Sequence, residues 1–202
     1  MTQDLSQALF LARQEEAALS GVFAHEQLEG LDFSKMDFSG CSFDQCRFEN
    51  CRFDKAGFYQ VKLSACDFSG CSFSESFWRE SQVTGCRMLG GDFSQSIFRK
   101  MRFEDSAMRY GNFKQSRWED SQLTRCDLRE ASFTEVLFRR MKLTETDFSG
   151  TDFFKTPLKG INLSDCTLSG IILSQSFSEI KGAKVSGIQA MELARLLGIE
   201  IV

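Results

Sequence analysis

From Phe23 to Leu173 every fifth residue is a large apolar side chain, and the register never slips. The 31 positions begin Phe23, Leu28, Phe33, Phe38, Phe43 and end Phe153, Leu158, Leu163, Leu168, Leu173. They take up 17 of the 21 phenylalanines and both tryptophans, Trp78 and Trp118. A helix repeats every 3.6 residues and a strand every 2, so neither produces a period of five. The repeat is itself the architecture, and it describes a solenoid.

The units read LDFSK, MDFSG, CSFDQ, CRFEN and CRFDK, and later CDLRE, TDFSG and TDFFK. A small or apolar residue stands two before each Phe/Leu centre, and the two residues after it are mostly polar. This resembles the pentapeptide-repeat family, whose pattern is A(D/N)LXX with Leu or Phe at the centre. The resemblance implies an all-β solenoid, a right-handed quadrilateral β-helix with four repeats and 20 residues per coil. In that fold the centre and the residue two before it point inward, and the other three point outward.

Sorting the centres in steps of twenty tests that coil length. One column reads Phe33, Phe53, Phe73, Phe93, Phe113, Phe133, Phe153, Leu173. The next reads Phe38, Phe58, Trp78, Phe98, Trp118, Phe138, Leu158. A third, headed by Phe43, is largely aliphatic, and a fourth, headed by Phe48, is mixed. Column identity persists, as it should if residues twenty apart stack at ~4.8 Å, a distance suited to offset aromatic rings. Thirty-one repeats make about 7.8 coils and a shaft ~37 Å long.

One continuous core is expected, with an N-terminal cap over residues 1–22, the repeat shaft over 23–173 and a C-terminal cap over 174–202. The single proline and scattered glycines mark no linker. No stretch is long and apolar enough to span a membrane, and the ALFLA run is followed by Arg13, Glu15 and Glu16, so no secretory signal is read and cytoplasm is the expected location. All eight cysteines (41, 46, 51, 66, 71, 86, 126 and 166) fall in the small inward slot, where Cys serves as a buried hydrophobe. The CxxxxC spacing puts neighbours on different faces and no histidine joins them, so no metal site is expected. The one histidine, His25, has no catalytic partner, and no phosphate loop, dinucleotide fingerprint or nucleophile elbow is present. A convex shaft offers no cleft for paired carboxylates. Neither enzymatic activity nor a cofactor is expected.

Both ends depart from the repeat. Residues 2–19 are rich in helix formers, with Leu5, Leu9 and Ala12 as an apolar stripe. After Leu173 the pattern slips by two residues, making Ile180 and Val185 the last centres. Ser186 with Gln189 fits a capping box, and Gly198 suits a helix stop. The QAxxLAxxLG ending and β-branched tail resemble the bacterial quinolone-resistance subgroup of the pentapeptide family. That resemblance implies a homodimer joined end to end through the C-terminal cap, for which Ile188, Met191, Leu193, Leu196, Leu197, Ile199 and Ile201 are the candidate contacts.

The same subgroup binds DNA gyrase and topoisomerase IV, for which an acidic rod imitating duplex DNA is the usual account. Here residues 32–175 carry 20 acidic and 20 basic residues, and the formal net charge of −4 comes from the residues before them. A duplex carries one negative charge per ~1.7 Å of axis, so imitation along the whole shaft is weakly supported. The face of Phe38, Phe58 and Trp78 is different: its outward slots hold four acidic and seven basic residues. On it Phe77, Ile97 and Leu137 are expected to be exposed among Arg79, Arg99, Arg117, Arg139 and Arg140, a composition typical of protein docking surfaces. The expected function is a non-enzymatic binding protein that engages DNA gyrase or topoisomerase IV and modulates fluoroquinolone sensitivity. The alternative is a general protein-interaction scaffold. Few stacking aromatics are available outside, so direct nucleic-acid binding is not expected.

Overall fold

The computed structural model of the chain describes residues 5–15, 17–196 and 198–200, apart from the side chains of Ser6 and Arg13. The chain winds as a parallel β-solenoid, and every pairing along the shaft joins residues 20 apart, from Val22↔Ser42 to Asp152↔Ile172. Two of the four faces are sheets. Three-residue strands at Val22–Ala24, Ser42–Asp44, Lys62–Ser64, Gln82–Thr84, Arg102–Glu104, Gln122–Thr124 and Lys142–Thr144 make a seven-stranded parallel sheet. Strands Asp37–Ser39, Gly57–Tyr59, Phe77–Arg79, Ile97–Arg99, Arg117–Glu119 and Leu137–Arg139 make a six-stranded one beside it.

The other two faces, apart from one strand pair at Gln27–Glu29 and Arg47–Glu49, are built from tight turns joined by single bridges, such as Asp32↔Arg52↔Ser72 and Asp67↔Arg87↔Ala107. There the centre's carbonyl accepts a hydrogen bond from the N–H three residues on, as Phe73 does from Ser76 and Met88 from Gly91. The residue before the centre supports this geometry where it is Asp, while Arg52, Arg87 and Ala107 hold the same slot without that help. Asp67, Asp92, Asp127, Asp147 and Asp152 each accept a hydrogen bond from the backbone N–H two residues on, an Asx turn. On the sheet faces the same slot holds Phe77, Ile97, Leu137, Lys62 or Arg102, which cannot make that turn. Asp37 is the exception, and Gly57 beside it leaves the room that the Asp37 carboxylate and Tyr59 ring occupy.

From His25 to Gly160 each corner is turned by one residue with positive φ. Twenty-one of these corners are not glycine, among them Lys35, Gln45, Asn50, Tyr110 and Arg140, and none of the 21 is β-branched. A branched Cβ is the side chain least compatible with left-handed backbone. His25 is one of these corners, at φ 58 and exposed, a position that the turn geometry accounts for.

The inward slots form one core. Rings of the Phe33 column stack at 4.8 Å for Phe33–Phe53, 4.8 Å for Phe53–Phe73, 4.9 Å for Phe73–Phe93 and 5.0 Å for Phe93–Phe113, within 8° of parallel. The spacing expected from the strand repeat is therefore the observed one. The tryptophans need an acceptor for the indole N–H, and the small inward slot supplies it: Trp78 donates to Ser76 at 2.8 Å and Trp118 to Ser116 at 3.0 Å. All eight cysteines are buried and free. Burial pushes the Cys41 and Cys71 thiols up to about 12, and the thiols donate to core carbonyls, Cys71 to Phe48 at 3.3 Å.

Both ends are closed. Helix α1, Leu5–Gln14, buries Leu5, Leu9 and Ala12, the expected stripe. Pairing already starts at Leu19, which bridges Phe38, ahead of the grid. At the far end the register slips by two as expected: Asn162 pairs with Lys184, a step of 22. Glu179 is buried in this longer coil, where its carboxylate accepts from the Lys155 N–H at 2.9 Å and the Ser174 hydroxyl at 2.9 Å. Helix α2, Gly187–Leu196, follows. Ser186 and Gln189 make the capping box, with Ser186 N–H to Gln189 Oε1 at 2.7 Å and Gln189 N–H to Ser186 Oγ at 3.3 Å. Gln189 also donates Nε2–H to the Leu163 carbonyl at 2.8 Å and to that of Cys166, so one side chain starts the helix and seals the last coil. Gly198, at φ 77, and Ile199 close the helix by donating to Arg195 and Ala194.

Candidate functional site

The Phe38-column sheet puts Phe77, Ile97, Arg117 and Leu137 in one row, in direct register. Arg79, Arg99, Glu119 and Arg139 form the neighbouring row. The structure thus brings seven of the eight residues expected on this face into these two rows, with the eighth, Arg140, at the corner beside them.

Their exposure is uneven, which corrects the expectation that Phe77, Ile97 and Leu137 are all exposed. Leu137 is 56% exposed, but Phe77 and Ile97 are half-buried. Phe77 is covered by its neighbours: the Tyr59 ring lies 5.7 Å away and the Arg99 guanidinium sits 5.7 Å above it. Arg79 covers Tyr59 in the same manner at 5.4 Å. Ile97 stands between Phe77 and Arg117 on adjacent strands. Leu137 is free for a backbone reason. The next residue in its row is Pro157, which has no N–H to donate, and the sheet ends at Leu137–Arg139.

A depression of about 290 Å³ lies between Ile97 and Leu137. Buried Trp118 forms part of its lining, with Arg99, Arg117, Glu119 and Arg139 around it. Glu119 is shared among three arginines: Arg99 at 3.5 Å, Arg139 at 3.3 Å and Arg140 at 3.0 Å. Arg117 is exposed and has no carboxylate partner among the described residues. The lining therefore sets three guanidiniums against one carboxylate.

Elsewhere the charges are largely matched in ladders. Lys100 pairs with Glu80 at 2.9 Å, Arg140 with Asp120, Arg125 with Asp105 at 2.7 Å and Arg129 with Asp127 at 2.8 Å. The hydrogen bond from Arg140 holds the Asp120 carboxyl below its usual range, and the one from Lys100 does the same for Glu80. Carboxylates engaged in this way do not resemble the bare phosphates of a duplex.

At the C-terminal end Ile188 is 70% exposed, and Met191, Leu196 and Ile199 are also exposed. Leu193 is instead buried against its own shaft, and so drops out of the expected dimer contacts. Leu197 and Ile201 lie outside the described residues. Among the described residues no group of His, Cys, Asp and Glu is arranged to hold a metal, and no helix is long and apolar enough to cross a membrane.

A square parallel solenoid wound in fives defines a class, and sequence comparison agrees with it. The model for the pentapeptide repeat region matches residues 58–133 and 76–153, and the model for pentapeptide repeats (8 copies) matches residues 32–70. Together they span residues 32–153, more than half of the chain, which belongs to the pentapeptide-repeat family. Among solved structures it is similar to a trypsin-treated form of QnrB1, described as a plasmid-mediated fluoroquinolone resistance protein, at 19% identity and TM-score 0.52, covering 90% of this chain and 100% of that one. Full-length QnrB1 gives 19% identity and TM-score 0.51, covering 89% and 100%. These likenesses speak for the fold. No curated protein matches the sequence.

Proposed function

We propose that this protein is a non-catalytic binding rod that engages DNA gyrase or topoisomerase IV and modulates fluoroquinolone sensitivity. The observation that carries the reading is the chain's ending. The QAxxLAxxLG segment folds as a capped helix locked to the last coil by Gln189, and it leaves Ile188, Met191, Leu196 and Ile199 uncovered. Apolar surface of this kind on a solenoid cap suits a second copy of the chain, giving an end-to-end dimer. The sequence of this ending is what resembles the quinolone-resistance subgroup, of which QnrB1 bears the resistance description.

The mode of engagement is docking by the arginine-rimmed sheet face rather than imitation of DNA. From residue 32 to 175 acids and bases are equal in number and tied together in ladders, so this length has no excess negative charge to present. The test is gyrase supercoiling over micromolar protein, with and without a fluoroquinolone. The expected result is inhibition, or protection from the drug. Neither effect at any concentration would remove the topoisomerase reading. A general scaffold is the second reading, favoured by the depression between Ile97 and Leu137. It is tested by replacing Phe77, Ile97 and Leu137 with Ser, which should abolish partner capture in a pull-down and leave the fold intact.

A further inference from the structure

The face described above has a geometry that selects its occupant. Its apolar members are spaced unevenly: Phe77 and Ile97 are one coil apart, and Ile97 and Leu137 are two. That is ~4.8 Å and ~9.6 Å along the shaft. An α-helix laid parallel to the shaft rises 1.5 Å per residue, so its positions i and i+3 are ~4.5 Å apart, and i+3 and i+10 ~10.5 Å apart. One stripe of such a helix therefore keeps step with Phe77, Ile97 and Leu137, and since Arg99 already roofs Phe77 its seat is the span from Ile97 to Leu137. An extended strand loses step with the coils, because its same-face residues fall every ~6.6 Å. A helix with side chains is ~10–12 Å wide, enough to cover both rows of the face.

Charge sets the second requirement. Arg117 sits between Ile97 and Leu137 and has no carboxylate partner among the described residues, while Arg99 and Arg139 share a single glutamate. A helix whose apolar stripe is flanked by Glu or Asp would supply the missing negative charges beside its own apolar anchors. A basic helix would place like charges together.

We propose that the Ile97–Arg117–Leu137 face is a docking site for an acidic amphipathic helix of a partner protein, with an apolar side chain seated over Trp118 and a carboxylate on Arg117. This rests on the docking reading above and names the kind of element that docks. Duplex DNA, the other polyanion an arginine-rich face could take, offers no apolar anchors in this spacing.

The test uses the full chain and a labelled synthetic 21-residue helical peptide with Leu at the first and fourth positions of each heptad and Glu flanking them. Binding is read by fluorescence anisotropy at low and high salt. The expected result is saturable binding that weakens with salt, and that weakens at least tenfold in Arg117→Glu and in Leu137→Ser. Arg87→Glu, on the opposite turn face, should bind as the parent does. Arg117 makes no ion pair, so R117E should keep the parent's circular dichroism and melting curve. R117E is the variant that decides if L137S unfolds. No peptide binding, equal binding by R117E, or Arg117-dependent retention of a 20-base-pair duplex in place of the peptide would each overturn the proposal. The readout needs no topoisomerase. Peptide binding without any effect on gyrase would keep this site and remove the topoisomerase reading. A gyrase effect that survives R117E, with no peptide binding, would do the reverse.

Discussion

The Phe33 face and the Phe38 face share one coil, one core and one period, and they contrast most in the residue before each centre. On the Phe33 face the residue before the centre includes Asp32, Asp92, Asn112 and Asp152, and the backbone makes a turn. On the Phe38 face that slot holds Phe77, Ile97, Arg117 and Leu137, and the backbone makes a strand. A short polar side chain that accepts a neighbouring N–H spends its polarity on its own backbone. A long or apolar side chain cannot do so and points its chemistry outward. The same slot therefore also decides which face carries outward apolar and arginine side chains.

The largest expected effect tests whether the two faces share their interior equally. Phe73→Ala, behind a turn face, and Phe98→Ala, behind a sheet face, should each cost about 3–5 kcal/mol, because both rings are buried and stacked on both sides. Denaturant unfolding would measure this, and a large inequality would mean that one face carries the core.

Next comes the carboxylate device at the end of the shaft, where Glu179 accepts the N–H of Lys155, a corner of the turn face. Burial works against the Glu179 carboxylate, but hydrogen bonds from its own backbone N–H, Lys155 and Ser174 outweigh it and hold the group below the usual value. Its folded pKa is depressed, so its contribution is present above the unfolded value of 4.5 and is lost as pH falls through the folded pKa. Glu179→Gln should cost about 2 kcal/mol at pH 7, and the gap between variant and parent should shrink in acid. Thermal melts from pH 7 to pH 3 would show it.

Smaller still is the slot itself. Asp92→Ala should cost about 1 kcal/mol, since it removes the acceptor for the Ser94 N–H and the partner of Asn112. Ile97→Ser, in the same slot on the sheet face, should cost less, within about 0.5–1 kcal/mol, because Ile97 is already half open to water. The smallest effect belongs to the ladders: Arg140→Ala should change stability by about 0–1 kcal/mol despite its contacts to Asp120 and Glu119.

Much of this could be read in the sequence, because a period of five leaves each residue few roles. The stacking columns, the buried cysteines, the two-residue slip before Ile180 and the Ser186–Gln189 box all follow from spacing. The division into turn and strand faces was also present, in the Asp and Asn residues before certain centres, but as an Asx signal it is visible only once the columns are separated. The avoidance of β-branched residues at positions such as Lys55, Tyr110 and Arg125 marked the left-handed corners in the same way. Three facts needed coordinates. Phe77 is roofed by Arg99 and flanked by Tyr59, partners from other coils. Leu193 turns toward its own shaft. Leu137 is open because Pro157, twenty residues on, cannot extend the sheet.

The central claim is that function belongs to one sheet face of an otherwise balanced rod. The most direct measurement is gyrase supercoiling in the presence of a fluoroquinolone with three proteins: the parent, the Phe77→Ser/Ile97→Ser/Leu137→Ser variant, and Arg87→Glu on the opposite face. The parent and the opposite-face variant should alter the drug response alike, and the triple variant should lose the effect while keeping its β-solenoid circular dichroism. An effect that persists undiminished in the folded triple variant would contradict the account.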